Sequence, residues 1–161
     1  MAHLNCGKIQ IYTGDGKGKT TAALGLAMRA TGYGLNVLML QFAKKLHRAE
    51  HDAAPRLGLS IVQADRDTPE ACAAQIMELA REQIAQVDVL ILDELGEAMR
   101  RGFVTREDVE GLIAMKPATT ELVLTGRGLL PLADLADMVT EMRPVKHYFD
   151  EGLLARQGIE Y

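Results

Sequence analysis

Hydrophobic and polar positions alternate in two distinct rhythms along this chain. Short, wholly apolar or period-2 runs fall at residues 8–12, 36–42, 59–64, 87–92, 121–124 and 138–142, and each reads as a strand. Between them lie segments with helical spacing. Residues 19–31 form one, closed by Gly32-Tyr33-Gly34. A long amphipathic helix runs from Pro69, a good first-turn residue, to about Gln86. Residues 105–115 form a helix capped by Thr105 with Asp108 three positions on, and residues 131–136 a short one. Residues 44–57 are charged and irregular and predict a surface loop with some helix. Strands that are apolar throughout, alternating with helices, imply a mostly parallel β-sheet covered by helices on both faces. No repeat, low-complexity tract or linker interrupts the pattern, so residues 1–161 are expected to form one domain.

The first strand–helix junction carries the clearest chemistry. Residues 13–21 read Thr-Gly-Asp-Gly-Lys-Gly-Lys-Thr-Thr. Gly14, Gly16 and Gly18 let the backbone curl so that successive N–H groups, with those of Asp15 and Lys17, converge on an anion at the positive end of the helix. Lys19 is placed to reach outer phosphates, and Thr20 to offer its hydroxyl to Mg²⁺. Thr13 stands where the general phosphate-loop pattern has its first glycine. In this strand–loop–helix setting the segment identifies an α/β P-loop NTPase (RecA-like) architecture and phosphate binding, and it leaves the reaction open.

Two further clusters follow strand ends, where ligands bind in such sheets. Asp93-Glu94 suits a metal shell, the alternative being a solvated acidic turn. Thr125-Gly126-Arg127-Gly128 would project a guanidinium that forks onto phosphate oxygens, the alternative being a tight turn with an exposed arginine. His47 and His51 are one helical turn apart but lack a third ligand nearby in sequence, which favours a solvated pair over a metal site. His147 lies near the chain's end and either approaches the cleft or faces water. A net charge of −4 and a pI near 5.6 give no electrostatic case for nucleic acid or an anionic membrane. Residues 1–7 are too short and polar for a signal peptide, and no apolar run approaches a membrane span. Two cysteines, Cys6 and Cys72, fit reduced thiols in a cytoplasmic protein.

With these pieces placed, the chain resembles the P-loop ATP:corrinoid adenosyltransferase family. The matching stretches are residues 7–25, 37–44, 88–95, 122–128 and 136–161, spread in order from end to end of the chain. The last block, with Pro144–His147, Phe149-Asp150-Glu151-Gly152 and Gly158–Tyr161, is the most specific. The resemblance implies ATP and a corrinoid as substrates, Mg²⁺, a homodimer, and a reducing flavoprotein as a possible partner. It implies adenosyl transfer to cobalt(I) with release of triphosphate. Lys19, Arg127 and Glu94 would serve the reaction, Thr20, Asp93 and Glu94 the metal, and Lys17, Thr21 and Arg29 the nucleotide. The residues alone also allow a P-loop hydrolase or phosphotransferase, with Glu94 orienting the attacking group, or a nucleotide-binding relative without catalysis.

The chain also departs from that family. Family members carry a basic helical extension before the first strand, where this sequence has only residues 1–6. Lys45 replaces a glycine, residues 64–69 are short and lack aromatics, and there is no tryptophan. These departures predict an open corrinoid side.

Overall fold

Six strands hydrogen-bond in the order β3-β2-β4-β5-β1-β6, every neighbouring pair parallel. They are β1 (Ile9–Thr13), β2 (Val37–Gln41), β3 (Ser60–Gln63), β4 (Val89–Asp93), β5 (Glu121–Thr125) and β6 (Met138–Glu141). The computed structural model describes residues 3–42 and 47–160. All six strands fall where the apolar runs predict them, and β5 stands between the phosphate-loop strand β1 and the acidic strand β4. The result is the α/β, all-parallel sheet expected of a P-loop NTPase.

The apolar character of the strands has a direct cause. Along β4, Val89 and Ile91 face a cluster with α1 (Lys19–Gly32), while Leu90 and Leu92 face a second cluster on the other side. Both faces are covered, so alternate residues have no solvent side on which to be polar. On the first face α1 presents Ala23, Ala27 and Ala30, small residues at helical spacing that let the helix lie close to the sheet. On the second face α3 (Pro69–Gln83), α4 (Leu95–Arg100) and α5 (Arg106–Met115) contribute Ile76, Leu95 and Leu112, each fully buried.

Local signals set the helix ends. The Thr68 hydroxyl accepts from the N–H of Ala71 at 3.1 Å to start α3. Thr105 and Asp108 form a reciprocal capping box on α5. The irregular stretch before β3 contains α2 (Ala49–Ala53) and a 3-10 turn over Ala54–Leu57. The short helix near residue 131 is a 3-10 turn over Leu130–Leu135, and the long helix stops at Gln83. Helix α4 was not expected from the sequence as a separate element. Gly96 and Gly102, with the charges of Glu94, Glu97, Arg100 and Arg101, mask its apolar face, Leu95 and Ala98, both buried against the sheet.

Candidate functional site

The carboxyl ends of β1, β4 and β5 converge at one edge of the sheet and bring the phosphate loop, Asp93-Glu94 and the Arg127 loop together. Gly14 and Gly18 have φ of 99° and 119°, conformations that an L side chain rarely adopts. The loop is also braced from above. Met142, just past β6, accepts the N–H of Gly16 at 2.8 Å and donates its own N–H to Thr13 at the same distance. A Cβ on Gly14 would lie 2.3 Å from the Met142 carbonyl oxygen, so only glycine fits there. Thr13, the departure from the general motif, is fully buried; its Oγ1 accepts the N–H of Leu129 at 3.0 Å. It ties the phosphate loop to the segment following Arg127.

Lys19 curls into the loop, donating to the carbonyls of Gly14 at 2.8 Å and Gly16 at 2.7 Å. Burial lowers its pKa from the ordinary lysine value, and the nearby Arg127 guanidinium pushes the same way against Glu94, Asp15 and Asp93. Two cations and three carboxylates thus share one small region. Arg127 and Asp15 are exposed beside it. Thr20 donates its hydroxyl to Asp93 Oδ1 at 2.8 Å, and the Thr125 hydroxyl donates to the same oxygen at 2.7 Å. Asp93 is completely buried, so these bonds are what makes its carboxylate tolerable inside the sheet. Because Thr20 gives its hydrogen to Asp93, its oxygen lone pairs face elsewhere. Glu94 follows with φ 62°, the one non-glycine residue in the left-handed region among the described residues. Such a conformation costs about 1–2 kcal/mol for a residue with a Cβ. The Glu94 N–H is held by the Thr125 hydroxyl at 3.1 Å, which helps fix it.

The Arg127 loop is docked through two glycines. A Cβ on Gly96 would lie 2.0 Å from the Arg127 carbonyl oxygen, and one on Gly126 would lie 2.4 Å from the Gly96 nitrogen. Backbone meets backbone there, fixing Arg127 beside Glu94. Two clefts flank Glu94. One, of about 660 Å³, runs past Asp15, Met99, Arg100 and Arg127. The other, of about 340 Å³, runs past Thr20, Thr21, Arg48, Glu50 and residues 158–160.

The remaining sequence-predicted residues sit elsewhere. Lys17 points away from the loop's interior to the C-terminal segment, donating to Glu160 Oε1 at 2.8 Å and the Tyr148 hydroxyl at 3.2 Å. Arg29 occupies the last turn of α1, ten residues and about 15 Å of helix beyond Lys19, where its charge is felt by Tyr12. It is not brought to the loop. His47 is exposed and pairs with Asp52 at 2.8 Å, as a solvated residue should. His51 corrects that expectation, since it is half-buried and its Nε2 lies 2.9 Å from Gln41 Oε1. An apolar strand hid Gln41, whose single polar side chain is the signal that could have shown it. His147 Nδ1 accepts the N–H of Phe149 at 3.1 Å and caps a 3-10 turn over Tyr148–Glu151. Cys6 and Cys72 are free thiols. Lys45 lies outside the described residues. Residues 65–68 form an exposed loop beyond β3.

Sequence reasoning missed two features. Arg48 lines the smaller cleft, and its Nε is buried without a hydrogen-bond partner. The C-terminal segment forms a strap. Glu160 accepts from Lys17, Tyr148 and Arg156, which hold its carboxyl far below the usual range, with the Arg156 bond the largest cause. No local motif announces a contact made across more than 140 residues.

The donors that could hold a metal are all oxygens, the hydroxyl of Thr20 and the carboxylates of Asp93 and Glu94. That set suits a hard cation such as Mg²⁺. The described residues contain no cluster of three or more His, Cys, Asp or Glu able to hold a metal alone. An ion here would share its shell with phosphates, the usual arrangement for Mg²⁺. No helix among the described residues is long and apolar enough to cross a membrane.

Comparison with known proteins agrees with this geometry. The family model for ATP:corrinoid adenosyltransferase BtuR/CobO/CobP matches residues 5–161. Corrinoid adenosyltransferase CobA of Salmonella typhimurium is 35% identical, over 96% of this chain and 86% of its own length. The corrinoid adenosyltransferases of Escherichia coli K12 and Pseudomonas aeruginosa are each 34% identical over 96% of this chain, covering 86% and 84% of theirs. The chain belongs to the P-loop ATP:corrinoid adenosyltransferase family.

Proposed function

We propose that this protein transfers the 5′-deoxyadenosyl group of ATP to the cobalt(I) of a corrinoid and releases inorganic triphosphate. The observation that carries the reading is the convergence of Lys19, Arg127, Glu94 and the Thr20–Asp93 pair around a glycine phosphate loop, in a chain matched by this family from residue 5 to its end. In the reaction the cobalt(I) electron pair attacks the ribose 5′-carbon, the C5′–O bond breaks, and cobalt becomes formally cobalt(III). The nucleophile comes with the substrate, so the protein's task is alignment and stabilisation of charge on the leaving triphosphate. Lys19 exchanges its carbonyl partners for phosphate oxygens. Arg127 lies across the region, where a planar guanidinium can take two oxygens at once. Thr20, oriented by Asp93, and Glu94 would hold Mg²⁺, which when bound neutralises triphosphate charge. Arg48 adds a cation on the wall of the second cleft. Two clefts meeting at Glu94 suit a reaction that joins two substrates.

The same reading has residues 1–161 act as one P-loop domain in the cytoplasm, as a homodimer, with a flavoprotein supplying reduced corrinoid. Incubating the protein with Mg-ATP and chemically reduced cobalt(I) corrinoid tests the chemistry. An adenosylcorrinoid absorption spectrum together with triphosphate is expected. ADP and phosphate would show a hydrolase, and nucleotide binding without any product would show a binding protein.

A further inference from the structure

Gln41 closes β2 with its side chain sealed inside the sheet edge, 1% exposed. Its Nε2 donates to Asp93 Oδ2 at 3.1 Å, and its Oε1 lies 3.2 Å from Gln63 Nε2 and 2.9 Å from His51 Nε2. A carboxylate only accepts, so the amide nitrogen must face Asp93 and the amide oxygen must face His51. His51 Nε2 must therefore carry a hydrogen. The other ring nitrogen, Nδ1, accepts the backbone N–H of Arg48 at 3.0 Å and lies 3.2 Å from the Arg48 carbonyl oxygen. Hydrogen-bond accounting thus requires a hydrogen on Nε2 and sets the direction of every bond from the ring to the buried carboxylate.

We propose that His51 is a positioning residue, which acts through Gln41 to fix the rotation of the Asp93 carboxylate against Thr20. With the amide locked on Oδ2, the other oxygen, Oδ1, is left to accept both hydroxyls, Thr20 and Thr125. Without the His51 donor, the Gln41 amide oxygen keeps only the Gln63 amide as a partner among the described residues, and the amide is held less firmly on Asp93. The relay also ties the Asp93 carboxylate to the cleft wall, because Arg48 supplies the N–H that seats the ring. It rests on the reading that Thr20 and Asp93 serve the magnesium-bound triphosphate.

Two measurements test it. A long-range ¹⁵N–¹H spectrum of the histidines, with the His51 signal assigned by His51→Gln, should show the Nε2–H tautomer. Calorimetric titration with Mg-ATP should show His51→Leu binding about tenfold or more weakly, in line with loss of an outer-shell partner. His51→Gln puts an amide N–H near the place of Nε2 and should recover most of the loss. In a Gln41→Met background His51→Leu should cost nothing further, because the connection is already cut. ATP titrated with a chelator should bind all these variants alike. An Nδ1–H tautomer overturns the relay, as does equal loss in the Leu and Gln variants or an undiminished loss in the Gln41→Met background. If the unaltered protein binds ATP equally well with and without Mg²⁺, the metal reading fails. The relay is then judged by the tautomer and by the same cycle on ATP affinity, where additive losses overturn it and non-additive ones support it.

Discussion

In the proposed reaction the Lys19 side chain serves both apo and bound needs. Its ammonium is held by the carbonyls of Gly14 and Gly16, which keeps it inside the loop and satisfied. Phosphate oxygens offer the same ammonium charged acceptors, and bonds to charged groups are worth about 1.5–3 kcal/mol each. Lys19→Ala should therefore weaken Mg-ATP binding by at least about tenfold while leaving circular dichroism and the unfolding midpoint nearly unchanged. Unaltered calorimetric affinity in a folded variant would remove Lys19 from the phosphate site. Arg127 makes a different prediction because its planar fork matters as well as its charge. Arg127→Lys should lower turnover with cobalt(I) corrinoid more than it raises the Kd for ATP. Proportional losses would mark Arg127 as an anchor for bound substrate rather than a stabiliser of the leaving group. Both residues were legible in the sequence, because glycines and a basic residue at a strand end state their purpose locally. His51 and Arg48 were not, since His51 finds its partner on β2 and Arg48 matters only as part of a cleft wall built from distant segments.

Elements set the site by how closely they approach one another. The start of α4 touches the loop after β5 backbone to backbone, with Gly96 and Gly126 interlocked. Gly96→Ala should cost about 1–3 kcal/mol, because the new methyl meets a carbonyl oxygen that cannot step aside. Urea denaturation measures this, and the same variant should lose turnover as Arg127 shifts. A midpoint equal to the original would mean that the two elements can separate without penalty. The strap formed by residues 156–160 works through charge. Glu160 is held ionised by Arg156, Lys17 and Tyr148, so its folded pKa lies below the unfolded value of 4.5. A depressed carboxylate contributes above its unfolded pKa and is lost only as pH falls through the lower folded value. Amide protection over residues 153–160 should thus persist from neutral pH to well below 4.5, and Glu160→Gln should abolish it at every pH. Equal exchange in the two proteins would show that backbone contacts alone hold the strap. The sequence marked this block as distinctive but gave no hint that it folds back onto the phosphate loop.

At the scale of the whole molecule, the parallel sheet gathers groups from positions 13 to 160 at one edge. The loop over residues 65–68 belongs to that edge and is exposed and free of aromatics. Displacing a lower cobalt ligand needs apolar side chains in its place. Phe42 is locked in the core, Phe103 packs against it, and Phe149 stands 62% exposed on the C-terminal segment. The protein should therefore adenosylate free cobalt(I) corrinoid faster than cobalt(II) cobalamin supplied with a reducing protein. Comparable rates in side-by-side kinetics would mean that Phe149 or a second subunit supplies the wedge. The sequence by itself determined the strands, the main helices and the phosphate loop. Apolar runs, caps and glycines act on their near neighbours, and burial on both faces accounts for a central strand such as β4, apolar from Val89 to Leu92. The tertiary structure alone decided the strand order, which places β5 between β1 and β4 and so sets Arg127 beside Lys19 and Glu94. It also decided that Gln41 links His51 to Asp93 and that Lys17 turns to Glu160. These are contacts between residues distant in sequence. Their free energy depends on which strands lie side by side, which no local pattern encodes.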